Sequence, residues 1–279
     1  MSDSFGPVVD AAWLAQEIGA ADLVVADVRW YLDGRSARDA YEAGHIPGAV
    51  FVDLDTDLAA APSPEGGRHP LPEPAGFASA MAALGIGDQT RVVAYDDTGG
   101  ITAGRLWWML DALGHRVAVL DGGIDAWSGP LVGGPGVAEW AEFTEKDWPA
   151  DRVVSADELE AALGSGIVVL DARSADRYAH GAAVDPRPGH VPGARSAPST
   201  DNMVDGRLRS AEDLAGRYGS LGADGDAPVV AYCGSGVSAC IDLLALRRAG
   251  LPDGRLFVGS WSAWGADPDR PAEEGPDRG

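Results

Sequence analysis

The chain has 279 residues, with 43 acidic and 21 basic side chains and a formal net charge of −22 at pH 7. This charge argues against nucleic acids and anionic membrane surfaces as partners, because phosphate contacts require a basic protein surface. No apolar run approaches the roughly 20 residues of a membrane span, the N-terminus lacks a secretory signal, and the presence of only two cysteines predicts a reduced, cytoplasmic protein.

Short Val- and Leu-rich segments predict buried strands, and apolar segments of helical character lie between them. In chain order, the strands are predicted at Leu23–Val28, Arg91–Tyr95, Val117–Leu120, Ile167–Leu170, Pro228–Tyr232 and Arg255–Val258. Helices are predicted at Ala103–Leu113, Ala156–Leu163 and Ser238–Ala249. The second helix begins with a capping-box pattern at Ser155 and Glu158. This alternation predicts an α/β fold with a mostly parallel sheet in each half.

The two halves carry the same landmarks in the same order. GHIPGAV, beginning at Gly44, corresponds to GHVPGAR, beginning at Gly189, and VVAYDDTGG, beginning at Val92, corresponds to VVAYCGSGV, beginning at Val229. Such a long repeat predicts two tandem domains of one fold. The predicted organisation is an N-terminal domain at 6–130, a linker at 131–152, a C-terminal domain at 153–265 and a flexible tail at 266–279.

Cys233 ends the strand of the second half at the position where the first half has Asp96. The Gly-rich loop after Cys233 leads into a helix, so backbone N–H groups and the positive end of a helix dipole point at the thiol. Such surroundings stabilise a thiolate, and we predict that Cys233 is a nucleophile. Cys240 lies inside the helix and is expected to pack in the core. The predicted active-site loop consists of Gly234, Ser235, Gly236, Val237 and Ser238.

CGSGVSA after VVAY, the GHIPGA and GHVPGA elements, and the DGG…W and GSW…W segments resemble the two-domain rhodanese family over about residues 8 to 265. The loop is similar to that of the 3-mercaptopyruvate sulfurtransferase branch, with Ser238 in place of threonine. The resemblance implies two rhodanese-like domains, of which the first is catalytically silent. It also implies transfer of sulfur from 3-mercaptopyruvate through a Cys233 persulfide, with release of pyruvate and without a metal or cofactor. The acceptor is expected to be cyanide or a thiol, such as thioredoxin or a small dithiol.

The family's two carboxylate-binding arginines match Arg177 and Arg187 in this chain. A guanidinium group suits a carboxylate because it can donate two parallel hydrogen bonds. Without the motif, both residues would be interpreted as loop arginines in surface ion pairs. The resemblance therefore implies that they bind the keto acid.

Three further residues are assigned to the site by resemblance alone. Ser235 belongs to a Cys–Ser–Asp arrangement in the family, and Asp55 of the first half matches its acidic member. Asp53 and Asp57 lie close enough to compete with Asp55 for this role. His69 matches a histidine that reaches the active cleft and contacts the substrate.

Three other functions compete with this interpretation. A thiosulfate sulfurtransferase would use the same nucleophile, but that branch has basic residues where this chain has Gly234 and Ser235. A Cys-x5-Arg phosphatase or arsenate reductase requires an arginine at position 239, which is Ala239 here. A non-catalytic binding module would not need Cys233 within an intact glycine loop.

Overall fold

The computed structural model describes residues 5–276, which fall into two compact units. The N-terminal unit contains residues 5–59, 72–148 and 205–208, and the C-terminal unit contains residues 60–71, 149–204 and 209–276. Over the described range, none of the helices has the length and apolar character needed to cross a bilayer.

A parallel sheet of five strands forms the centre of the N-terminal unit. Its strands are β1 (Val8–Val9), β2 (Leu23–Asp27), β3 (Val50–Phe51), β4 (Arg91–Tyr95) and β5 (Val117–Leu120). They lie in the order β1-β5-β4-β2-β3, and each neighbouring pair is parallel. Strands β4 and β5 are buried almost throughout, as expected for parallel strands covered on both faces.

The C-terminal unit repeats this sheet with the same strand order. Its strands are β6 (Val153–Val154), β7 (Val168–Asp171), β8 (Arg195–Ser196), β11 (Val229–Tyr232) and β12 (Arg255–Phe257). They lie in the order β6-β12-β11-β7-β8, again with every pair parallel. Two further short strands are β9 (Met203–Val204) and β10 (Arg207–Leu208).

Nine α-helices and two 3-10 helices occur between these strands over the described residues. The helices are α1 (Ala11–Glu17), α2 (Ala37–Ala43), α3 (Pro74–Ala83), α4 (Ala103–Ala112), α5 (Ala156–Ala162), α6 (Ala175–His180), α7 (Ala211–Ser220), α8 (Ala239–Arg248) and α9 (Ser260–Trp264). The 3-10 helices are Gly123–Ala126 and Ser199–Asn202. The predicted capping box is present at the start of α5, where Ser155 and Glu158 each bond the other's backbone.

The predicted α/β fold of two parallel sheets is confirmed, and the predicted strands and helices end within one residue of the observed ones. The other elements were not predicted, among them the ten-residue helices α3 and α7. Strands of two residues, such as β1 and β6, and short helices such as α1 and α6 span too few residues to show a clear period.

Both units contain the same buried ion pair at the carboxyl end of a central strand. In the N-terminal unit, Arg29 Nη2 lies 2.6 Å from Asp27 Oδ2, and in the C-terminal unit Arg173 Nη2 lies 2.6 Å from Asp171 Oδ2. Tyr95 donates to the same Asp27 carboxylate at 2.8 Å. The repeat therefore extends from the sequence landmarks to side-chain contacts.

The units divide the chain differently from the predicted domains at three places. Residues 60–71 group with the C-terminal unit, whereas residues 131–148 and 205–208 group with the N-terminal unit. Much of the predicted linker is thus bound to the first unit, as the paired backbone hydrogen bonds of 2.9 Å between His45 and Val132 illustrate. Glycine and proline content indicated irregular backbone there, which does not by itself exclude packing.

The predicted flexible tail makes specific contacts in its described part. Trp264 Nε1 donates to the Pro271 carbonyl at 2.7 Å. His190 and Glu273 exchange two backbone hydrogen bonds of 2.9 and 3.0 Å. Residues 277–279 of this tail lie outside the described residues.

Candidate active site

Cys233 directly follows β11, the middle strand of the C-terminal sheet, and is 2% exposed. The chain then turns through the Gly234–Ser238 loop into α8. Ligand sites of α/β proteins occur at this carboxyl edge of a parallel sheet. The backbone N–H of Gly236 donates to the Cys233 Sγ at 3.1 Å, in a turn where Gly236 has a φ of +77° that favours glycine. The loop therefore holds an N–H donor against the sulfur.

The first residues of α9, which follows the neighbouring strand β12, form hydrogen bonds with the same loop. The backbone N–H groups of Trp261 and Ser262 donate to the carbonyls of Cys233 and Gly234, both at 2.9 Å. The hydroxyl of Ser260 accepts the backbone N–H of Cys233 at 3.1 Å. Ser260 lies within the GSW…W segment but was assigned no role from sequence, because its contact joins residues that are 27 positions apart.

The remaining predicted loop residues are packed. Val237 is 8% exposed and Ser238 is half-buried, without a side-chain hydrogen bond that caps α8. Cys240 is fully buried and directs its Sγ at the Gly236 carbonyl, 3.3 Å away. Its position within α8 agrees with the packing role expected for it.

Ser235 and His69 meet although 166 positions separate them. The Ser235 Oγ lies 2.9 Å from the His69 Nδ1, and the two residues are only 8% and 6% exposed. According to the ring tautomer, this nitrogen either accepts the hydroxyl proton or donates its own. The backbone of Arg68 is held by a 2.9 Å hydrogen bond to Ser262 Oγ, which places His69 beside the loop. The structure thus brings together two residues that the sequence assigned separately.

Arg177 lies beside the first residue of the loop. A Cβ built on Gly234 would lie 2.8 Å from the Arg177 Nη2, so the glycine provides the space that the guanidinium group occupies. The same guanidinium forms a two-point pair with Asp185, with Nη2–Oδ1 and Nε–Oδ2 distances of 2.5 and 3.2 Å. Arg177 is 28% exposed in its side chain, whereas Asp185 is 1% exposed. A buried carboxylate therefore orients a partly exposed cation at the loop.

Arg187 lies against α9, whereas Arg177 pairs with Asp185. Its Nη2 donates to the Arg270 carbonyl at 2.7 Å, and its guanidinium carbon lies 5.9 Å from the centre of the Trp261 ring. Trp261 Nε1 in turn donates to the Arg187 carbonyl at 3.0 Å. The Arg187 Nε is buried and has no hydrogen-bond partner.

Asp55 belongs to the N-terminal unit, where its carboxylate accepts the Trp30 indole N–H at 2.9 Å. The two competing carboxylates serve the local turn: Asp53 accepts the Asp55 backbone N–H at 3.0 Å, and Asp57 accepts that of Asp53 at 2.8 Å. Burial raises the pKa of Asp57. Asp55 is the exposed member of this group, and its catalytic role stays a prediction.

The loop of the N-terminal unit shows what this loop geometry binds. Asp96 takes the place of Cys233, and its buried carboxylate accepts five hydrogen bonds of 2.7–3.0 Å from the loop and from the start of α4. Four of the donors are backbone N–H groups, and the fifth is the Thr102 hydroxyl. A fold that directs so many donors at one side chain is suited to an anion.

Comparison with known families and proteins identifies the same architecture. The rhodanese-like domain model matches residues 10–130 and 155–267. A Pseudomonas aeruginosa protein assigned by name to 3-mercaptopyruvate sulfurtransferase is 42% identical over 285 residues, covering 98% of this chain and 99% of the relative. The 3-mercaptopyruvate sulfurtransferase of Escherichia coli K12 is 37% identical, covering 95% and 97%.

Two further similarities bear on the substrate and on the fold. A Mycobacterium tuberculosis protein assigned by name to thiosulfate sulfurtransferase is 38% identical, covering 96% of this chain and 97% of the relative. The crystal structure of SseA from Escherichia coli, described with the rhodanese fold and mechanism of 3-mercaptopyruvate sulfotransferases, superposes with a TM-score of 0.82. It is 33% identical over 92% of this chain and 99% of that chain.

Proposed function

Since the chain belongs to the rhodanese family, we propose that it is a sulfurtransferase that moves sulfur from 3-mercaptopyruvate to a thiol or to cyanide through a persulfide on Cys233. The observation that carries this proposal is the position of Cys233. Its sulfur lies at the carboxyl end of a central strand, before a helix N-terminus, with a loop N–H at 3.1 Å. A thiolate is favoured by such surroundings and is the reactive form of cysteine.

In the first half-reaction, the Cys233 thiolate attacks the sulfur of 3-mercaptopyruvate. An S–S bond forms while the substrate's C–S bond breaks, and its electron pair passes to the carbon as the enolate of pyruvate. The proton lost by the substrate thiol balances the proton that the enolate carbon gains as it becomes a methyl group. The products are pyruvate and a persulfide anion on Cys233, so the reaction is covalent catalysis in two steps.

In the second half-reaction, an acceptor attacks the outer sulfur of the persulfide. The S–S bond breaks, its electron pair returns to Cys233, and a thiol acceptor leaves as a persulfide or cyanide leaves as thiocyanate. The Gly236 N–H, 3.1 Å from the sulfur, stabilises the charge on it at both stages. The carboxylate of Asp96, held by five donors in the equivalent loop, supports this role for the loop.

We assign the keto-acid end of the substrate to the two arginines. Arg177 lies beside Gly234, within reach of a ligand on Cys233, and Arg187 has a buried Nε without a hydrogen-bond partner. Two guanidinium groups would hold the substrate carboxylate and stabilise the enolate oxygen as charge develops on it.

The Ser235–His69 pair is assigned to proton transfer. Its 2.9 Å hydrogen bond lies next to Cys233 in the chain, and histidine can change its protonation state near neutral pH. The pair is suited to carry the proton between the substrate thiol and the enolate carbon. Asp55 remains a proposed third member of this group on the basis of the family pattern.

A thiosulfate sulfurtransferase is the second candidate function, because a relative of 38% identity carries that name. Thiosulfate is a dianion, and the loop offers Gly234 and Ser235 where basic side chains would suit it better. The arginine beside the loop, Arg177, is already paired with Asp185. The site therefore favours a singly charged keto acid.

The deciding experiment compares kcat/KM for 3-mercaptopyruvate and thiosulfate, with cyanide or a small dithiol as acceptor, in the wild type and in Cys233→Ser. We expect a preference of tenfold or more for 3-mercaptopyruvate and no turnover in the variant. A preference for thiosulfate would establish the second candidate. Failure to turn over either donor would contradict the enzyme assignment.

We also propose that the physiological acceptor is a thiol and that the protein acts in the cytoplasm. Neither Cys233 nor Cys240 forms a disulfide, which is consistent with a reducing compartment such as the cytoplasm. A reducing compartment also supplies thioredoxin-like proteins and small dithiols as sulfur acceptors. Mass spectrometry of the wild type after incubation with donor alone would detect the Cys233 persulfide on which either acceptor acts.

A further inference from the structure

Ser260 has a backbone conformation that serine rarely adopts. It is the first residue of α9, is fully buried and has a φ of +51°. Within residues 5–276, Asp205 is the other non-glycine residue at positive φ, and it lies on an exposed turn. A left-handed conformation is strained for residues with a Cβ, so a buried serine that keeps it calls for a compensating interaction.

The N-terminal unit shows that this position does not need a serine to fold. Gly123 lies 137 residues before Ser260, the spacing that also relates Asp96 to Cys233. It has a φ of +57°, and the next N–H donates to the Asp96 carbonyl at 2.9 Å, just as Trp261 donates to Cys233. A Cβ built on Gly123 would lie 2.2 Å from the Asp96 carbonyl oxygen. The silent unit therefore satisfies the same backbone geometry with glycine.

What Ser260 adds is a pair of hydrogen bonds to the nucleophile's backbone and to the next strand. Its Oγ accepts the Cys233 N–H at 3.1 Å and donates to the carbonyl of Phe257, the last residue of β12, at 2.9 Å. Strand β12 pairs directly with β11, which ends beside Cys233. The hydroxyl thus ties the nucleophile to the rigid part of the sheet.

We propose that Ser260 is a positioning residue for catalysis, whose hydroxyl holds the Cys233 backbone so that its sulfur stays beneath the Gly236 N–H. The proposal rests on the proposed function, in which Cys233 is the nucleophile. The catalytic unit keeps a strained serine where the silent unit has glycine because only the catalytic unit must hold a reactive sulfur in place. Ser260 itself touches neither substrate nor sulfur in this scheme.

Two variants separate strain from positioning. Ser260→Gly removes the hydroxyl and relieves the strain, whereas Ser260→Ala removes the hydroxyl and keeps the strain. We expect Ser260→Gly to have the higher melting temperature of the two, yet both to lose about tenfold or more in kcat, because a buried N–H without its acceptor pulls the loop out of position. KM for 3-mercaptopyruvate should stay within twofold, since the arginines that bind the substrate are unchanged.

The matched control is Asp205→Gly, which relieves a left-handed residue on an exposed turn and should leave kcat unchanged. A second readout needs no substrate: the rate at which iodoacetamide alkylates Cys233, followed by mass spectrometry, should fall in both Ser260 variants. A kcat and an alkylation rate within twofold of the wild type in folded Ser260→Gly would overturn the proposal. The proposal would also be overturned if kcat and the alkylation rate fell in Ser260→Ala but stayed normal in Ser260→Gly, because the losses would then follow the melting temperature and not the absence of the hydroxyl. Absence of turnover in the wild type would instead overturn the proposed function.

Discussion

Single residues around Cys233 differ in how firmly the protein holds them. Arg177 is oriented by Asp185 through two short contacts, while its space beside Cys233 exists because residue 234 is glycine. Arg187 is held by a backbone carbonyl and by the Trp261 ring, and keeps one N–H without a partner. These contacts make Arg177 the preorganised member of the pair, so we expect its removal to affect binding more.

Replacing Arg177 by alanine should lower kcat/KM for 3-mercaptopyruvate by about 10²-fold, since a hydrogen bond to a charged group contributes about 1.5–3 kcal/mol. Arg177→Lys should recover only part of this loss, because an ammonium group cannot donate two parallel bonds. Steady-state kinetics of both variants measures the effect. The control is Arg35→Ala, which removes an exposed arginine paired with Asp33 and should leave the kinetics unchanged. Wild-type kinetics in Arg177→Ala would remove this residue from the site.

Asp242 is a fully buried carboxyl group in α8, the helix that follows the loop. Burial raises its pKa to about 7, although a 2.6 Å hydrogen bond from Asn202 partly opposes this shift. Because the folded pKa exceeds the value of 3.8 in an unfolded chain, the unfolded chain loses the proton first as pH rises. Stability is therefore expected to fall between about pH 4 and pH 7 and to stay lower above that range.

Asp242→Asn should remove this dependence, because an amide is neutral at every pH and still accepts from Asn202. The difference in unfolding free energy between the variant and the wild type should be near zero at pH 4 and reach the order of 4 kcal/mol in favour of the variant at pH 8. Denaturant unfolding at several pH values measures it. Asp201→Asn, which changes an exposed carboxylate near Arg217, is the matched control. A pH-independent difference would contradict the assignment.

At the scale of the element, the strand–loop–helix unit that follows the middle strand of each sheet directs backbone N–H donors at the side chain after the strand. In the C-terminal unit the acceptor is the sulfur of Cys233, and in the N-terminal unit it is the carboxylate of Asp96. The loop of the N-terminal unit is one residue longer before its helix begins, and it directs four backbone N–H groups and one hydroxyl at its own side chain.

Asp96→Asn should destabilise the N-terminal unit by about 3 kcal/mol or more. The new amide group would turn a donor toward backbone N–H groups that now bond a carboxylate oxygen, so at least two charge-assisted hydrogen bonds would be lost. Chemical denaturation measures the change. Asp97→Asn provides the comparison, since its carboxylate accepts the Tyr31 hydroxyl at 2.7 Å and an amide oxygen can still do so. Equal destabilisation by both variants would contradict the proposed role of the loop donors.

At the scale of the whole molecule, the net charge of −22 acts on every partner that approaches. Charges of one sign on both proteins slow their encounter, and salt reduces this effect by shortening the Debye length from about 30 Å at 0.01 M to about 8 Å at 0.15 M. The choice of sulfur acceptor is therefore expected to depend on the acceptor's charge.

With 3-mercaptopyruvate saturating, kcat/KM for an acidic protein dithiol should rise severalfold when ionic strength increases from 0.01 to 0.15 M. A basic protein dithiol should show the opposite trend, and an uncharged small dithiol should show little change. Initial rates at varied salt measure all three. The same salt response for the three acceptors would show that the net charge does not govern their encounter.

Much of the fold and the position of Cys233 on its loop could be predicted from sequence because most of those signals are local. The run VVAY reports a buried strand, the glycines report a tight turn, and the repeated landmarks report a duplicated fold. The strand and the turn each depend on residues a few positions apart, and the repeat is recognised by comparing two such local patterns, so no knowledge of packing is needed. The two-residue strands were not predicted, because a period cannot be observed in so few residues.

The sequence by itself thus determined the duplicated α/β fold, the placement of Cys233 on its loop and the presence of Asp96 at the equivalent position. Only the tertiary structure decided that His69 meets Ser235, that Arg177 fills the space beside Gly234, and that Ser260 holds the Cys233 backbone. The physical reason is that periodicity records which face of an element is buried. Which side chains then meet across 27 or 166 positions depends on how loops pack against the carboxyl edge of the sheet.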